Sequence, residues 1–140
     1  MAVERLRVLL DTNILISAIG FGGKPRKILQ HVLKKKIIGV TSSILLAELE
    51  DVLNKKFTLL SPHFERINKL IRKRFYLVKP TEEIRILKDD DDNRVLEAAK
   101  KASCSFIVTG DKELLDLKNF KNIKIVTADQ FYKFLTEEEV

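Results

Sequence analysis

Blocks of hydrophobic positions alternate with polar segments along the chain, and their spacing predicts strands and helices in turn. Short apolar runs bounded by polar residues are typical of buried strands. Longer segments with an apolar residue at every third or fourth position are typical of helices that pack one face on a core. The pattern predicts strands at 5–10, 37–40, 76–78, 106–108 and 123–126, an extended piece at 84–87, and helices at 14–18, 25–36, 44–56, 62–75, after 92, around 114–115 and at 128–135.

Strands that alternate with helices predict an α/β fold, in which helices cover both faces of a mainly parallel sheet. The 140 residues contain no repeat, low-complexity tract or linker, so we expect a single domain over residues 1–140. Such sheets bind ligands beyond the carboxyl ends of their strands. Polar residues that follow the predicted strands are therefore the first candidates for function.

Three acidic residues stand at or near these strand ends. Asp11 directly follows the first strand, and Asp111 lies just after the strand at 106–108. Asp92 begins a helix and shares the inward face of Val95 and Leu96, which follow it by three and four positions. Each acid alone could be a helix cap. Together, at one edge of a parallel sheet, they predict a common cleft.

A fourth acid lies within a predicted helix. Glu48 forms one i, i+4 row with Ile44 and Val52, so we expect its carboxylate to point with the apolar face. Burying a carboxylate is costly unless a cation or hydrogen bonds compensate it. Glu48 therefore either pairs with an arginine or joins the other three acids.

Carboxylates that converge raise one another's pKa unless a positive charge lies among them. Lys112 is the only basic residue beside these strand ends. A divalent cation is the simplest neutraliser, and oxygen ligands with few His or Cys favour Mg²⁺ or Mn²⁺ over zinc. An acid-bound metal can hydrolyse phosphodiesters, because it activates water and stabilises charge on phosphate oxygens.

Composition and charge agree with a polyanionic partner, and they argue against membrane-spanning, secreted and disulfide-bonded proteins. The chain has 26 Lys plus Arg against 20 Asp plus Glu, a net charge of +6, although each basic cluster also suits a solvated helix end. No apolar run approaches the ~20 residues of a membrane helix. The N-terminus lacks the apolar segment of a signal peptide, and the lone Cys104 cannot form an internal disulfide. We expect a cytoplasmic protein.

Other phosphate-handling folds fit less well. A haloacid-dehalogenase-type phosphatase needs a second Asp two residues after the first, where this chain has Asn13. A phosphate-accepting receiver domain normally carries a pair of acids after its first strand. The segment GFGGKP is a poor P-loop, with Ala18 at the first glycine position and Pro25 in place of Ser or Thr; we interpret it as a loop beside the site.

Five segments in order resemble the PIN domain family, most closely its prokaryotic VapC-like branch of toxin nucleases. They are VLLDTNILISA, SSILLAELEDVL, DDDDNRVLEAA, FIVTGDKELLDL and KIVTADQFYKFL. The resemblance implies a three-layer Rossmann-like fold and an Mg²⁺- or Mn²⁺-dependent ribonuclease, the toxin of a toxin–antitoxin pair. It implies RNA as substrate, an antitoxin protein as partner, and a homodimer.

Carried over residue by residue, the resemblance places the catalytic acids at Asp11, Glu48, Asp92 and Asp111. All four are then candidate metal-site residues, with Asp11 and Asp92 as the main ligands and Glu48 orienting or deprotonating the attacking water. Asn13 and Thr109 match the supporting polar positions. In the run 89–92, Asp92 precedes Asn-Arg-Val-Leu as the family's acid does, and Asp91 is the alternative.

Two other functions stay open at this stage: a PIN-like module that binds RNA or protein without cutting, and an RNA-processing nuclease outside toxin–antitoxin systems.

The remaining conspicuous side chains are interpreted as structural. Cys104 is expected to be packed, and both histidines to be surface or helix-packing residues. Core or dimer packing is expected for Phe21 and Phe57. The two histidines are His31 and His63.

Overall fold

The computed structural model describes residues 5–57 and 62–138. Strands and helices alternate along it as the hydrophobic pattern predicts. Their order is β1 (Arg7–Leu10), α1 (Thr12–Gly20), α2 (Gly23–Leu33), β2 (Ile38–Ser42), α3 (Ser43–Phe57), α4 (Pro62–Arg74), β3 (Tyr76–Val78), α5 (Asp90–Lys101), β4 (Phe106–Val108), α6 (Lys112–Leu117), β5 (Asn119–Phe120), β6 (Ile123–Val126) and α7 (Ala128–Glu138).

The strands form one six-stranded sheet in the order β3-β2-β1-β4-β6-β5. Every neighbouring pair is parallel except β5 and β6, which are antiparallel. The predicted α/β class with a mainly parallel sheet is confirmed. β5 was not predicted, because a strand of two residues is too short to show an alternating pattern.

The hydrophobic core lies in two layers, one on each face of the sheet. Along β1, Val8 and Leu10 pack into one layer and Leu9 into the other, as the alternation of side chains along a strand requires. Helices α1, α2, α4 and α7 contribute to the first layer, α5 and α6 to the second, and α3 to both. This is the three-layer Rossmann-like arrangement that the family resemblance implies.

The strand order reverses direction between β1 and β4. From β1 the chain moves outward to β2 and β3, then crosses over to β4 on the other side of β1. A crevice opens at such a switch point, because the connections that leave the two strands turn to opposite sides. The carboxyl ends of β1 and β4 therefore define the first place to look for a site.

The segment between β3 and α5 is held by side chains of α5. The backbone N–H of Ile84 donates to Glu97 Oε2 at 2.8 Å. Leu87 exchanges two hydrogen bonds of 2.9 Å with the buried Asn93, one to Oδ1 and one from Nδ2. The extended piece predicted at 84–87 is therefore not a strand of the sheet, since these side chains satisfy its backbone groups instead.

Two further details differ from the sequence prediction. α2 ends at Leu33 rather than near residue 36. The segment GFGGKP, interpreted above as a loop, is reduced to a tight turn of Phe21 and Gly22, because α1 ends at Gly20 and α2 begins at Gly23. Arg26 closes this turn, because its guanidinium donates to the carbonyls of Ala18 and Ile19 at 2.8 and 3.1 Å. Within the described ranges, no helix is both long and apolar enough to cross a membrane.

Candidate metal centre

Asp11 begins α1 immediately after β1. Its backbone N–H continues the sheet by donating to Val108 O at 3.0 Å. Its carboxylate accepts two hydrogen bonds, from Thr12 N at 2.8 Å and from the hydroxyl of Thr109 at 2.6 Å. The side chain is buried, and burial raises the pKa of Asp11 although both hydrogen bonds act to lower it.

Thr109 connects Asp11 to Asp111 across the switch point. Its side chain is fully buried after β4. The hydroxyl donates a hydrogen bond to Asp11, and its oxygen accepts one from the backbone N–H of Asp111, with an N···O distance of 3.0 Å. Asp111 in turn caps α6, accepting from Glu113 N at 2.8 Å and Leu114 N at 3.3 Å through Oδ1. One hydroxyl thus fixes the relative position of two predicted site acids.

The structure separates the four acids of the 89–92 run. Asp89 is the N-cap of α5 and accepts from Asp91 N at 2.9 Å. Asp90 and Asp91 are exposed, whereas Asp92 is only 6% exposed. In the part of the chain that is described, Asp92 Oδ2 is buried without a hydrogen-bond partner. Burial, together with the charges of Asp111 and other acids, raises the pKa of Asp92 to about 7.

Asp92, Asp111 and Glu113 come together in the crevice. Each offers one carboxylate oxygen, and these oxygens lie within 4.8 Å of one another. Glu113 was missed in the sequence analysis; its signal was the position two residues after Asp111, in the first turn of the same helix. Its Oε1 also accepts the backbone N–H of Lys88 at 2.7 Å, which ties α6 to the segment before α5.

Glu48 approaches the same group of acids from α3. It is half-buried, and burial followed by the charges of Asp91 and Asp11 raises its pKa to about 7. The prediction that its helical row faces the core is wrong in part, since Ile44 is 59% exposed. The buried face of α3 consists of Leu45, Leu46, Leu49 and Leu53. Glu48 therefore stands at the edge of that face, beside the acids.

The remaining predicted residues have separate surroundings. Asn13 is exposed and forms no hydrogen bond through its side chain with any described residue. Cys104 is buried, and burial raises its pKa to about 12, so the packing interpretation holds. His31 Nδ1 lies 2.8 Å from Lys27 O, as a helix-packing residue would. Phe21 is 77% exposed, so it is not a core residue; the side chains of Phe57 and His63 lie outside the described part.

The donor set fits a hard divalent cation. All the candidate ligands are carboxylate oxygens, the set that Mg²⁺ and Mn²⁺ prefer. Three of the acids have raised pKa values because burial and neighbouring acids disfavour their charged forms. A cation among them would remove that penalty, and it would give Asp92 Oδ2 the partner that no described residue provides.

The sheet order and the carboxylates at its switch point define a Rossmann-like α/β domain with an acidic centre. The chain belongs to the PIN domain family, whose model matches residues 7–113. The match ends within α6, so it includes every acid described above.

One relative and two solved structures are similar to this chain. The uncharacterized protein MJ1680 of Methanocaldococcus jannaschii is 31% identical, over 91% of this chain and 90% of its own length. The crystal structure of VapBC2 from Rickettsia felis, bound to a DNA fragment from their promoter, is similar at a TM-score of 0.61, with 17% identity over 87% of this chain and 98% of that one. The PIN domain endonuclease Utp24 is similar at a TM-score of 0.55, with 20% identity over 86% of this chain and 84% of that one.

Proposed function

We propose that the chain is an Mg²⁺- or Mn²⁺-dependent endoribonuclease with Asp11, Glu48, Asp92 and Asp111 as its catalytic acids. The observation that carries the proposal is the buried Oδ2 of Asp92, which has no hydrogen-bond partner among the described residues and lies beside the carboxylates of Asp111 and Glu113. A folded chain keeps a buried carboxylate oxygen without a partner at a considerable cost in free energy. That cost is explained if Asp92 Oδ2 is a ligand of a cation that the reaction needs.

Each acid has a role that follows from its surroundings. Asp92 and Asp11 are the main metal ligands, and Asp111 completes the site directly or through a water. Thr109 positions Asp11 and Asp111 by its two hydrogen bonds. A bound cation would supply charge stabilisation on the phosphate oxygens and a more acidic water.

Glu48 is the general base of the proposed reaction. Burial is the main cause of the raised pKa of this carboxyl, and a carboxylate made more basic by burial is suited to take a proton from water. The water oxygen then bonds to phosphorus while the bond between phosphorus and the 3′ oxygen breaks, and the 3′ oxygen takes up a proton from solvent. The products are a 5′-phosphate and a 3′-hydroxyl, as the family resemblance implies.

The biological setting belongs to the proposal as well. Membership of the PIN family and the similarity to VapBC2 support a toxin nuclease of a toxin–antitoxin pair. We accordingly propose an antitoxin protein as partner, a homodimer as the assembly, and a cytoplasmic location. The similarity to Utp24, described as a PIN domain endonuclease, supports endonuclease activity alone, so a nuclease of RNA processing outside toxin–antitoxin systems is the second candidate.

Cleavage of RNA by purified protein tests the proposal. A mixed set of single-stranded and structured RNAs is incubated with and without Mn²⁺, and products are resolved on gels. We expect Mn²⁺-dependent cleavage by the wild type and none by Asp11→Asn, a variant that keeps the N-cap acceptor of α1. Asp11→Asn also reveals any contaminating nuclease.

Two neighbouring substitutions then test the choice of the third acid. Asp92→Asn is expected to abolish cleavage, whereas Asp91→Asn, at an exposed position, keeps it. The reverse result would show that Asp91 is the ligand. A wild type that binds Mn²⁺ and RNA without cutting would instead support the non-cleaving binding module.

A further inference from the structure

We propose that a small cavity between α3 and α5 binds the nucleotide next to the scissile phosphate, with the base inside the cavity and the phosphate at its rim. The inference rests on the proposed nuclease function and adds a substrate subsite to it. The cavity has a volume of about 160 Å³. Ser43, Ile44, Val78, Lys79, Pro80 and Arg94 contribute to its lining.

The cavity and the acid cluster share the same two helices. On α3, Ile44 lines the cavity and Glu48 follows it by four residues, so the two lie on one side of the helix about one turn apart. On α5, Arg94 lines the cavity, and Asp92, two residues earlier, faces another side of the helix, so the cavity lies beside the acid cluster rather than within it. A strand whose scissile phosphate lies at the acids would therefore place an adjacent nucleotide at the cavity.

The charges at the rim favour a phosphate group. Arg94 Nε lies 2.9 Å from Glu97 Oε1, and Glu97 Oε2 accepts the backbone N–H of Ile84. Both oxygens of this buried carboxylate are thus used within the protein. The Nη groups of Arg94 form no hydrogen bond with any described residue, and Lys79 is exposed beside them. The lining carries one more positive than negative charge, and it offers Arg donors whose geometry matches phosphate.

The interior of the cavity suits a nucleobase better than an ion. Its apolar wall is made by Ile44, Val78 and Pro80. Ile44 is 59% exposed, so its side chain is accessible to a base in the cavity. The volume far exceeds the ~30 Å³ of a water molecule and falls short of the ~300 Å³ at which drug-sized pockets begin. One flat base with its phosphate outside matches both the size and the lining.

Binding of single-stranded RNA to an uncut complex tests the subsite. The Asp11→Asn protein is titrated with a fluorescent oligoribonucleotide at several salt concentrations, alone and combined with Lys79→Gln, Ile44→Ala or Lys56→Gln. Lys56→Gln is the matched control: it removes the same charge from the same helix as Ile44, about 18 Å further along its axis. Arg94 is left unchanged because it neutralises the buried Glu97.

We expect Lys79→Gln to weaken binding about tenfold and to reduce the dependence of log Kd on log salt by about 0.7, the value for one phosphate contact of a single strand. Ile44→Ala is expected to weaken binding without changing the salt dependence, because it removes only apolar contact. Lys56→Gln should match the parent protein.

Equal affinities for the Lys79→Gln and Lys56→Gln proteins would overturn the subsite, even if the wild type cuts RNA. Complete absence of RNA binding would overturn it as well. Conversely, a specific effect of Lys79→Gln in a protein whose wild type does not cut RNA would support the subsite and contradict the nuclease. The two proposals can therefore fail separately.

Discussion

Thr109 is the residue on which the arrangement of the acids depends most directly. Its hydroxyl donates to Asp11 and accepts from the backbone of Asp111, and it does so with no exposure to solvent. A hydroxyl can do both, because it has one donor and two acceptor lone pairs. The same atom therefore stabilises the end of β4 and orients the candidate ligands.

We predict that Thr109→Val uncouples the two acids. Valine has nearly the same shape, but it leaves the Asp11 carboxylate and the Asp111 N–H without their partner, at a cost of about 1–3 kcal/mol in the free energy of unfolding. The affinity for Mn²⁺ should fall about 10- to 100-fold, as for other groups that orient metal ligands. Urea denaturation and Mn²⁺ titration measure the two effects. Thr109→Ser keeps the hydroxyl and should lose little stability and little Mn²⁺ affinity. An equal loss in both variants would contradict the positioning of Asp11 and Asp111 by this hydroxyl.

The raised pKa values of Asp92 and Glu48 predict how stability depends on pH without metal. Their ordinary values of 3.8 and 4.5 rise to about 7 in the folded chain, which therefore binds these protons more tightly than the unfolded chain. Their contribution to stability is full below about pH 4 and is lost as the pH rises to about 7. We expect denaturation midpoints in EDTA to be higher at pH 5 than at pH 8.

Two variants test whether Asp92 causes this loss of stability at higher pH. Asp92→Asn should reduce the difference between pH 5 and pH 8, whereas Asp90→Asn, at an exposed position in the same turn, should keep it. Mn²⁺ should restore stability at pH 8, because it binds the deprotonated carboxylates. If Asp92→Asn showed the full wild-type difference, the burial of this carboxyl would not be the cause.

Sequence spacing could single out Asp92 from its three acidic neighbours, because the positions of Val95 and Leu96 show which side of α5 faces the core. It could not find Glu113 or Asn93. Glu113 enters the cluster because the segment before α5 folds back and donates the Lys88 N–H to it. Asn93 is buried because it satisfies the backbone of Leu87. Both roles depend on an irregular segment whose path has no periodic signature.

At the scale of elements, the acids serve as helix caps as well as candidate ligands. Asp11, Asp89 and Asp111 are the N-caps of α1, α5 and α6. A carboxylate is favoured there by the free N–H groups and by the helix dipole. The alternative that the acids are helix caps is therefore correct for Asp11 and Asp111 and wrong for Asp92, because Asp89 caps α5. It does not account for Asp92 and Glu48, which cap no helix and have the largest rises in pKa among the acids.

Close packing between elements is most restrictive at Gly39 in β2. A Cβ atom at this position would lie 2.7 Å from Phe75 Cε2 and 2.8 Å from Val32 Cγ1. We predict that Gly39→Ala lowers the free energy of unfolding by about 1–3 kcal/mol, because α2 and the end of α4 would have to shift. Gly110→Ala is the control, since nothing lies within 4 Å of its Cβ position. Urea denaturation should separate the two; equal stability would show that β2 is less tightly covered than described.

At the scale of the whole molecule, several lysines lie at the edge of the sheet opposite the acidic cluster. The acids follow the carboxyl ends of the strands, whereas Lys34, Lys35 and Lys36 follow α2 and Lys101 ends α5, where the chain enters β2 and β4. Cations at helix C-termini interact favourably with the dipole. The net charge of +6 therefore does not cancel the acidic cluster locally. We therefore propose a divalent cation as the partner of this edge of the sheet.

Calorimetric titration with Mn²⁺ tests the metal centre most directly, because it needs neither the right RNA nor an antitoxin. Wild type, Asp92→Asn and Asp90→Asn are titrated at pH 7.5 after EDTA treatment and dialysis. The account predicts saturable binding by the wild type and by Asp90→Asn, and its loss in Asp92→Asn. Saturable binding that survives in Asp92→Asn, or no binding by the wild type, would contradict the assignment of the acidic crevice as a metal centre.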